Sequence, residues 1–131
     1  MKKKVLIIDS DLNICKEIAE SLQNEATEAI YALSAPDAME KLTRQHFCLV
    51  IMGIQLSETD GMRLLKIIRE IKPIPILILS STASSAERIA ALKAGAHGYL
   101  EKPYQLEECL AHAQSRWSGT EPRTVIQRSL G

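Results

Sequence analysis

A chain of 131 residues, 46% of them hydrophobic and with 16 basic against 16 acidic side chains, suffices for one domain with an ordinary core and carries no net charge. That balance leaves no electrostatic footprint for nucleic-acid binding, and the basic cluster Lys2 to Lys4 precedes too short an apolar run for a signal peptide or a membrane span, so a cytoplasmic protein is expected. Cys15, Cys48 and Cys109 fall on apolar stretches without a CxxC pair and read as reduced core residues, while His46, His97 and His112 have no partner at metal-ligand spacing.

Residues 4–8 form an apolar run that stops at Asp9-Ser10-Asp11, the pattern of a buried strand delivering acids at its C-terminal end. A helix follows over about 12–24 with Ile14, Cys15, Ile18 and Leu22 on one face. Leu12 lies off that stripe beside the acid loop; a role as contact for a partner helix is weighed against the plain reading of one exposed leucine. Residues 29–33 hold more alanine than branched side chains and read as a strand at a sheet edge. Ser34, with Pro36 in the first turn and Asp37 three residues on, opens a second helix that turns Ala38, Met39 and Leu42 inward and ends near Gln45.

The strand at 47–52 is the most apolar stretch, and Gly53 stands at its C-terminal end, followed by Ile54-Gln55-Leu56. A polar turn at 57–61 leads to a third helix over about 62–71, with Leu64, Leu65, Ile68 and Ile71 on its buried face, and Pro73 closes it. Residues 76–79 are a fourth buried strand running into Ser80-Ser81-Thr82. Ser84 and Glu87 read as a capping box for a fourth helix that presents Ile89 and Leu92 and stops at Gly95. A short strand at 98–100 enters Glu101-Lys102-Pro103. A fifth helix carries Leu106, Cys109, Leu110, Ala113 and Trp117 at helical spacing, and 119–131 reads as a tail or the start of a linker after a domain of residues 1–118.

Five strands alternating with five helices through short loops give an α/β doubly wound domain with a parallel sheet. In that architecture the strand C-termini converge, bringing Asp9, Ser10 and Asp11, then Gly53 and Gln55, then Ser80, Ser81 and Thr82, then Lys102 around one point. Hydroxyls and an ammonium suit the oxygens of a phosphoryl group, and acids suit a divalent cation. The same residues also fit ordinary solvated loops.

From Lys4 to Trp117 the sequence resembles the receiver domain of two-component response regulators. The pieces that carry the resemblance are the strand entering Asp9-Ser10-Asp11, the run from Leu49 to Leu56 with Thr59-Asp60-Gly61, Pro75 to Ser80, Ala94-Gly95-Ala96, and Tyr99-Leu100-Glu101-Lys102-Pro103. The resemblance implies a flavodoxin-like sheet in the order 2-1-3-4-5, helices one and five covering one face and the rest the other. It implies a non-enzymatic signalling module whose partners are proteins: a histidine kinase, a phosphotransfer protein or an output domain. It places Asp9 on the first acid of a metal-holding pair, Ser10 on the second, Gly53 on the phosphoacceptor aspartate, Gln55 on a residual backbone ligand position for the metal, Ser80 on a switch hydroxyl, Tyr99 on a switch aromatic and Lys102 on a lysine preceding a proline that is usually cis. The face of helix four, strand five and helix five is where receivers commonly dimerise, and Arg88, Lys93 and Glu108 fall on it.

Two positions depart from the pattern. Glycine at 53 has no side chain to phosphorylate, and serine at 10 removes a carboxylate, so the Mg²⁺ site is expected to be lost with the acceptor. The favoured reading is a degenerate receiver, a pseudo-receiver, acting as an interaction module without cofactor. Its alternatives are an ordinary receiver carrying an engineered acceptor substitution, disfavoured by Ser10, and a flavodoxin-like phosphate or nucleotide binder, disfavoured by the acids after the first strand.

Overall fold

The structure, a computed structural model, describes residues 3–56, 60–81, 84–101 and 111. Along them run β1 Lys3–Ile8, α1 Leu12–Leu22, β2 Thr27–Ala32, α2 Ala35–Arg44, β3 Leu49–Gly53, α3 Gly61–Ile71, β4 Ile76–Ser80, α4 Ser85–Lys93 and β5 Gly98–Glu101. The strands make one five-stranded sheet in the order β2-β1-β3-β4-β5, every pair parallel. The chain steps from β1 outward to β2 and then back past β1 to β3, so the winding reverses between β1 and β3, where such sheets open their crevice.

Apolar runs rather than alternating ones are needed where both faces are covered, and β3, β4 and residues 5–8 of β1 are buried throughout. Because successive side chains point to opposite faces, Leu6, Ile8, Val50, Met52, Ile76 and Ile78 join a core with Ala38 and Leu42 of α2 and Leu64, Leu65 and Ile68 of α3. Val5, Ile7, Leu49, Ile51, Leu77 and Leu79 face the other way, onto Cys15, Ile18 and Leu22 of α1. The predicted fifth helix apart from residue 111, the tail at 119–131, Lys102, Pro103 and Glu108 lie outside the described residues. Among the described residues no helix is long and apolar enough to cross a membrane.

Each of the described helices α1–α4 begins on a side-chain oxygen that accepts an otherwise orphaned amide. Asp11 takes Asn13 N at 2.9 Å, Ser34 takes Asp37 N at 3.3 Å, Asp60 takes Met62 N at 3.1 Å and Ser84 takes Glu87 N at 3.2 Å. Helix α1 stops at Leu22, two residues short of the sequence expectation, and β2 starts two residues early. Asn24 causes both shifts: its Oδ1 accepts Ala26 N at 2.7 Å and Thr27 N at 2.8 Å, turning the chain straight into the sheet.

Two glycines are fixed by their surroundings. A β-carbon on Gly61 would stand 2.3 Å from the carbonyl oxygen of Ile54, so only glycine lets α3 start against the end of β3. Gly95 has φ +114°, and its amide bonds Leu92 O while Ala96 N bonds Ala91 O, the paired bonds of a Schellman stop. Arg69 of α3 locks that stop in place, its Nη2 donating to Gly95 O at 3.0 Å and Ile74 O at 2.7 Å.

Two helix faces differ from the sequence expectation. Ile71 is 48% exposed rather than buried: it is the last residue of α3, and the core-facing line of that helix ends with Leu64, Leu65 and Ile68. On α4, Ile89 and Leu92 are 52% and 42% exposed; the helix turns Glu87, Ala91 and Ala94 inward instead, at i, i+4 and i+7.

Candidate functional site

Register places the site. Ile8 pairs with Met52, so one step further Asp9 and Gly53 end neighbouring strands side by side, and Gly53 pairs with Leu79, the residue before Ser80. Ser80 in turn pairs with Glu101 of β5. Asp9, Gly53 and Ser80 are thus brought together at the C-terminal end of the sheet, all buried.

The three residues after β1 do different things. Asp9 is almost wholly buried and its Oδ1 accepts Asp11 N at 2.9 Å, which closes the turn into α1. Ser10 is exposed. Asp11 spends its carboxylate on the N-terminus of α1, so it is a cap rather than a member of the cluster. Leu12 is 39% exposed beside this loop. Gly53 does not adopt a positive φ; among the described residues only Gly95 does. Its backbone therefore does not demand glycine.

Gln55 reaches across from the β3 side. Its Nε2 donates to Ser80 Oγ at 3.4 Å, and its Oε1 accepts Ser81 Oγ at 3.2 Å and Ser81 N at 3.4 Å. The side chain ties the start of the β4–α4 loop to the end of β3. Thr82 lies outside the described residues.

Glu87 takes a part beyond the capping box that the sequence predicts for it. Ser84 accepts its amide as a capping box requires, but its carboxylate turns to the sheet. Ser80 Oγ donates to Glu87 Oε1 at 2.6 Å and Tyr99 OH donates to the same oxygen at 2.8 Å. The signal was present in the sequence: Glu87 shares its helical line with Ala91 and Ala94, the residues that face inward. The hydroxyl and the aromatic singled out as a switch pair are joined through a third residue.

Tyr99 also borders a cleft of about 150 Å³ between the start of α4 and β5, lined with Ser84, Ser85, Arg88 and Glu101. A further depression of about 310 Å³ opens between Gln45–Cys48 and Lys72–Pro75. It sits where β3 and β4 begin, at the opposite end from Asp9 and Ser80, and so takes no part in this cluster. Burial pushes the Cys48 thiol there above its ordinary pKa, against the opposing charge of Lys3.

Comparison with known proteins places this geometry. Residues 5–114 match the family model described as the response regulator receiver domain. The chain is 34% identical over 131 residues to the transcriptional regulatory protein ZraR of Escherichia coli, covering 94% of this chain and 30% of that protein. It is 28% identical to the response regulator MprA of Mycobacterium bovis, covering 97% of this chain and 56% of that one. The chain therefore spans only part of the curated relatives it matches. Among solved structures, a two-component response regulator from Clostridium difficile superposes with TM-score 0.86 at 28% identity, covering 90% of this chain and 98% of that chain. The chemotaxis protein CheY4 of Vibrio cholerae gives 0.81 at 26% identity, covering 88% and 99%.

Proposed function

The chain belongs to the response regulator receiver domain family, and we propose that it is a pseudo-receiver: a protein-interaction module whose state is not set by phosphorylation of the residue at the end of β3. The observation that carries this reading is Gly53 itself. It ends the central strand beside Asp9 and Ser80, where the family resemblance expects the phosphoacceptor aspartate, and it has no side-chain atom on which an acyl phosphate could form.

The donor set supports the same reading for the metal. Mg²⁺ demands near-octahedral oxygen ligation and is rarely held without carboxylates. Here Asp9 contributes one carboxylate, Asp11 is committed to a helix N-terminus, and Ser10 and Gly53 supply none. The residues do not fit Mg²⁺. The module's partners are proteins, a kinase, a phosphotransfer protein or an output domain. The exposed face of α4, with Arg88, Ile89, Leu92 and Lys93, would contribute to any contact with a second copy.

Phosphorylation by acetyl phosphate in Gly53→Asp and in Ser10→Asp/Gly53→Asp tests the proposal. The wild-type chain should gain no aspartyl phosphate by intact mass, the single variant should label weakly, and the double variant faster and only with Mg²⁺. The new acid would sit buried next to Asp9, where desolvation and like charge oppose ionisation until a metal neutralises the pair. Rapid, equal, Mg²⁺-dependent labelling of the single and double variants would overturn the pseudo-receiver reading in favour of an ordinary receiver with a substituted acceptor.

A further inference from the structure

We propose that Glu87 is a built-in latch that fixes the α4–β5 surface in one arrangement by holding Ser80 and Tyr99 on a single carboxylate oxygen. The proposal deepens the reading above and rests on it for its signalling consequence, though not for its geometry. In a chain without an acceptor side chain at 53 no phosphoryl oxygen forms there for the buried hydroxyl of Ser80 to bond, and it donates to the carboxylate oxygen of Glu87.

Three observations carry the assignment. Ser80 Oγ donates to Glu87 Oε1 at 2.6 Å, within the range of a hydroxyl bonded to a charged oxygen, and Tyr99 OH donates to the same atom at 2.8 Å, an ordinary hydroxyl–oxygen distance. Glu87 lies on the inward line of α4, where only Ala91 is fully buried, so the helix brings little apolar surface to the sheet and the carboxylate bridge replaces it. Finally, Glu87 sits in the first turn of α4 behind its Ser84 cap, where the helix N-terminus stabilises negative charge. The latch therefore spans three elements: Ser80 ends β4, Glu87 opens α4, and Tyr99 lies on β5. Because Tyr99 also walls the cleft with Arg88 and Glu101, its release would reshape the exposed surface between α4 and β5.

The sequence contains three tyrosines, Tyr31, Tyr99 and Tyr104. Fluorotyrosine NMR of the full chain, assigned with Tyr99→Phe, reads the ring directly. Glu87→Gln and Glu87→Ala should both move or broaden the Tyr99 resonance while Tyr31 stays in place. Ser80→Ala should disturb it far less, since Tyr99 keeps its own bond to Oε1. Amide exchange in Ser85–Lys93 should quicken by at least about tenfold in Glu87→Ala, the factor that losing hydrogen bonds to a charged group implies, and by less in Glu87→Gln.

An unchanged Tyr99 resonance together with unchanged α4 exchange in both Glu87 variants would overturn the latch. Should Glu87→Ala fail to fold, Glu87→Gln keeps the side-chain volume, and it must then still displace the Tyr99 resonance and quicken α4 exchange measurably, though by less than about tenfold, or the proposal falls. These readouts involve no phosphodonor, so failure of the latch and failure of the pseudo-receiver reading are seen in separate experiments.

Discussion

Gly61→Ala separates two physical effects of opposite sign. Gly61 is the first residue of α3, and by helix propensity alone alanine there should stabilise the protein by about 1 kcal/mol. The surroundings say otherwise. The added carbon would meet the carbonyl oxygen of Ile54 at 2.3 Å and its carbonyl and α-carbons at 2.7 Å, so backbone must retreat by roughly 1 Å to restore ordinary contact. Neither side is loose. Ile54 N is bonded to Leu79 O and Gly61 N to Ile54 O, each at 2.9 Å, Gln55 bridges Asp60, and Asp60 caps the helix. Overpacking costs about 1–3 kcal/mol and the lost backbone bond about 1 kcal/mol more, which leaves a net destabilisation of about 1–3 kcal/mol after the propensity gain. Thermal unfolding should show a fall in Tm of roughly 4–12 °C for a domain of this size, and urea unfolding a lower midpoint with an unchanged slope. Arg63→Ala, at an exposed position two residues on, should stay within about 0.5 kcal/mol of the parent. A Gly61→Ala protein as stable as the parent, or more so, would refute the argument that contact with Ile54 dictates glycine.

Arg69→Lys should destabilise by about 1.5–3 kcal/mol in denaturant titration despite keeping the charge, because an ammonium cannot reproduce the fork that serves Lys72 O, Ile74 O and Gly95 O. Ser34→Ala should lower stability by about 1 kcal/mol through loss of the α2 cap, with the unfolding slope unchanged. Cys48 has a folded pKa raised by burial, so its contribution to stability is intact below the ordinary thiol value of 9.0 and lost as pH rises through the folded value. Stability should therefore fall more steeply as the pH rises above 9.0 in the parent than in Cys48→Ala.

Much of this was legible in the sequence because it rests on short-range rules. The apolar runs at 5–8, 49–52 and 76–79 could only be strands covered on both faces, and Ser34, Ser84 and Gly95 announced helix ends that the structure forms by the bonds expected of them. What the sequence hid depended on competition between partners. Asp11 read as a site acid until α1 claimed it; Ile89 and Leu92 read as the buried side of α4 because apolar residues outrank a glutamate in any hydropathy pattern. Only the packing against β4 and β5 reveals that two hydroxyls wait there for a carboxylate. Asn24 shows the same limit at the backbone, where one side-chain oxygen moved two element boundaries.

The position of β1 between β2 and β3 bears on how the chain reaches its fold during synthesis. Its residues Val5 to Ile8 are the first core residues of the sheet to be made and are fully buried at the end, yet the partner on one edge, β3, begins only at Leu49. At ribosomal speeds of about 5–20 residues per second, that edge stays open for roughly 2–8 s. Until then β1 has α1 and β2 for company and a row of unpaired amides and carbonyls on its other side, the condition in which strands pair with other chains. Lys3 and Lys4 head that strand, and their charges oppose such pairing while the missing neighbour is still being translated.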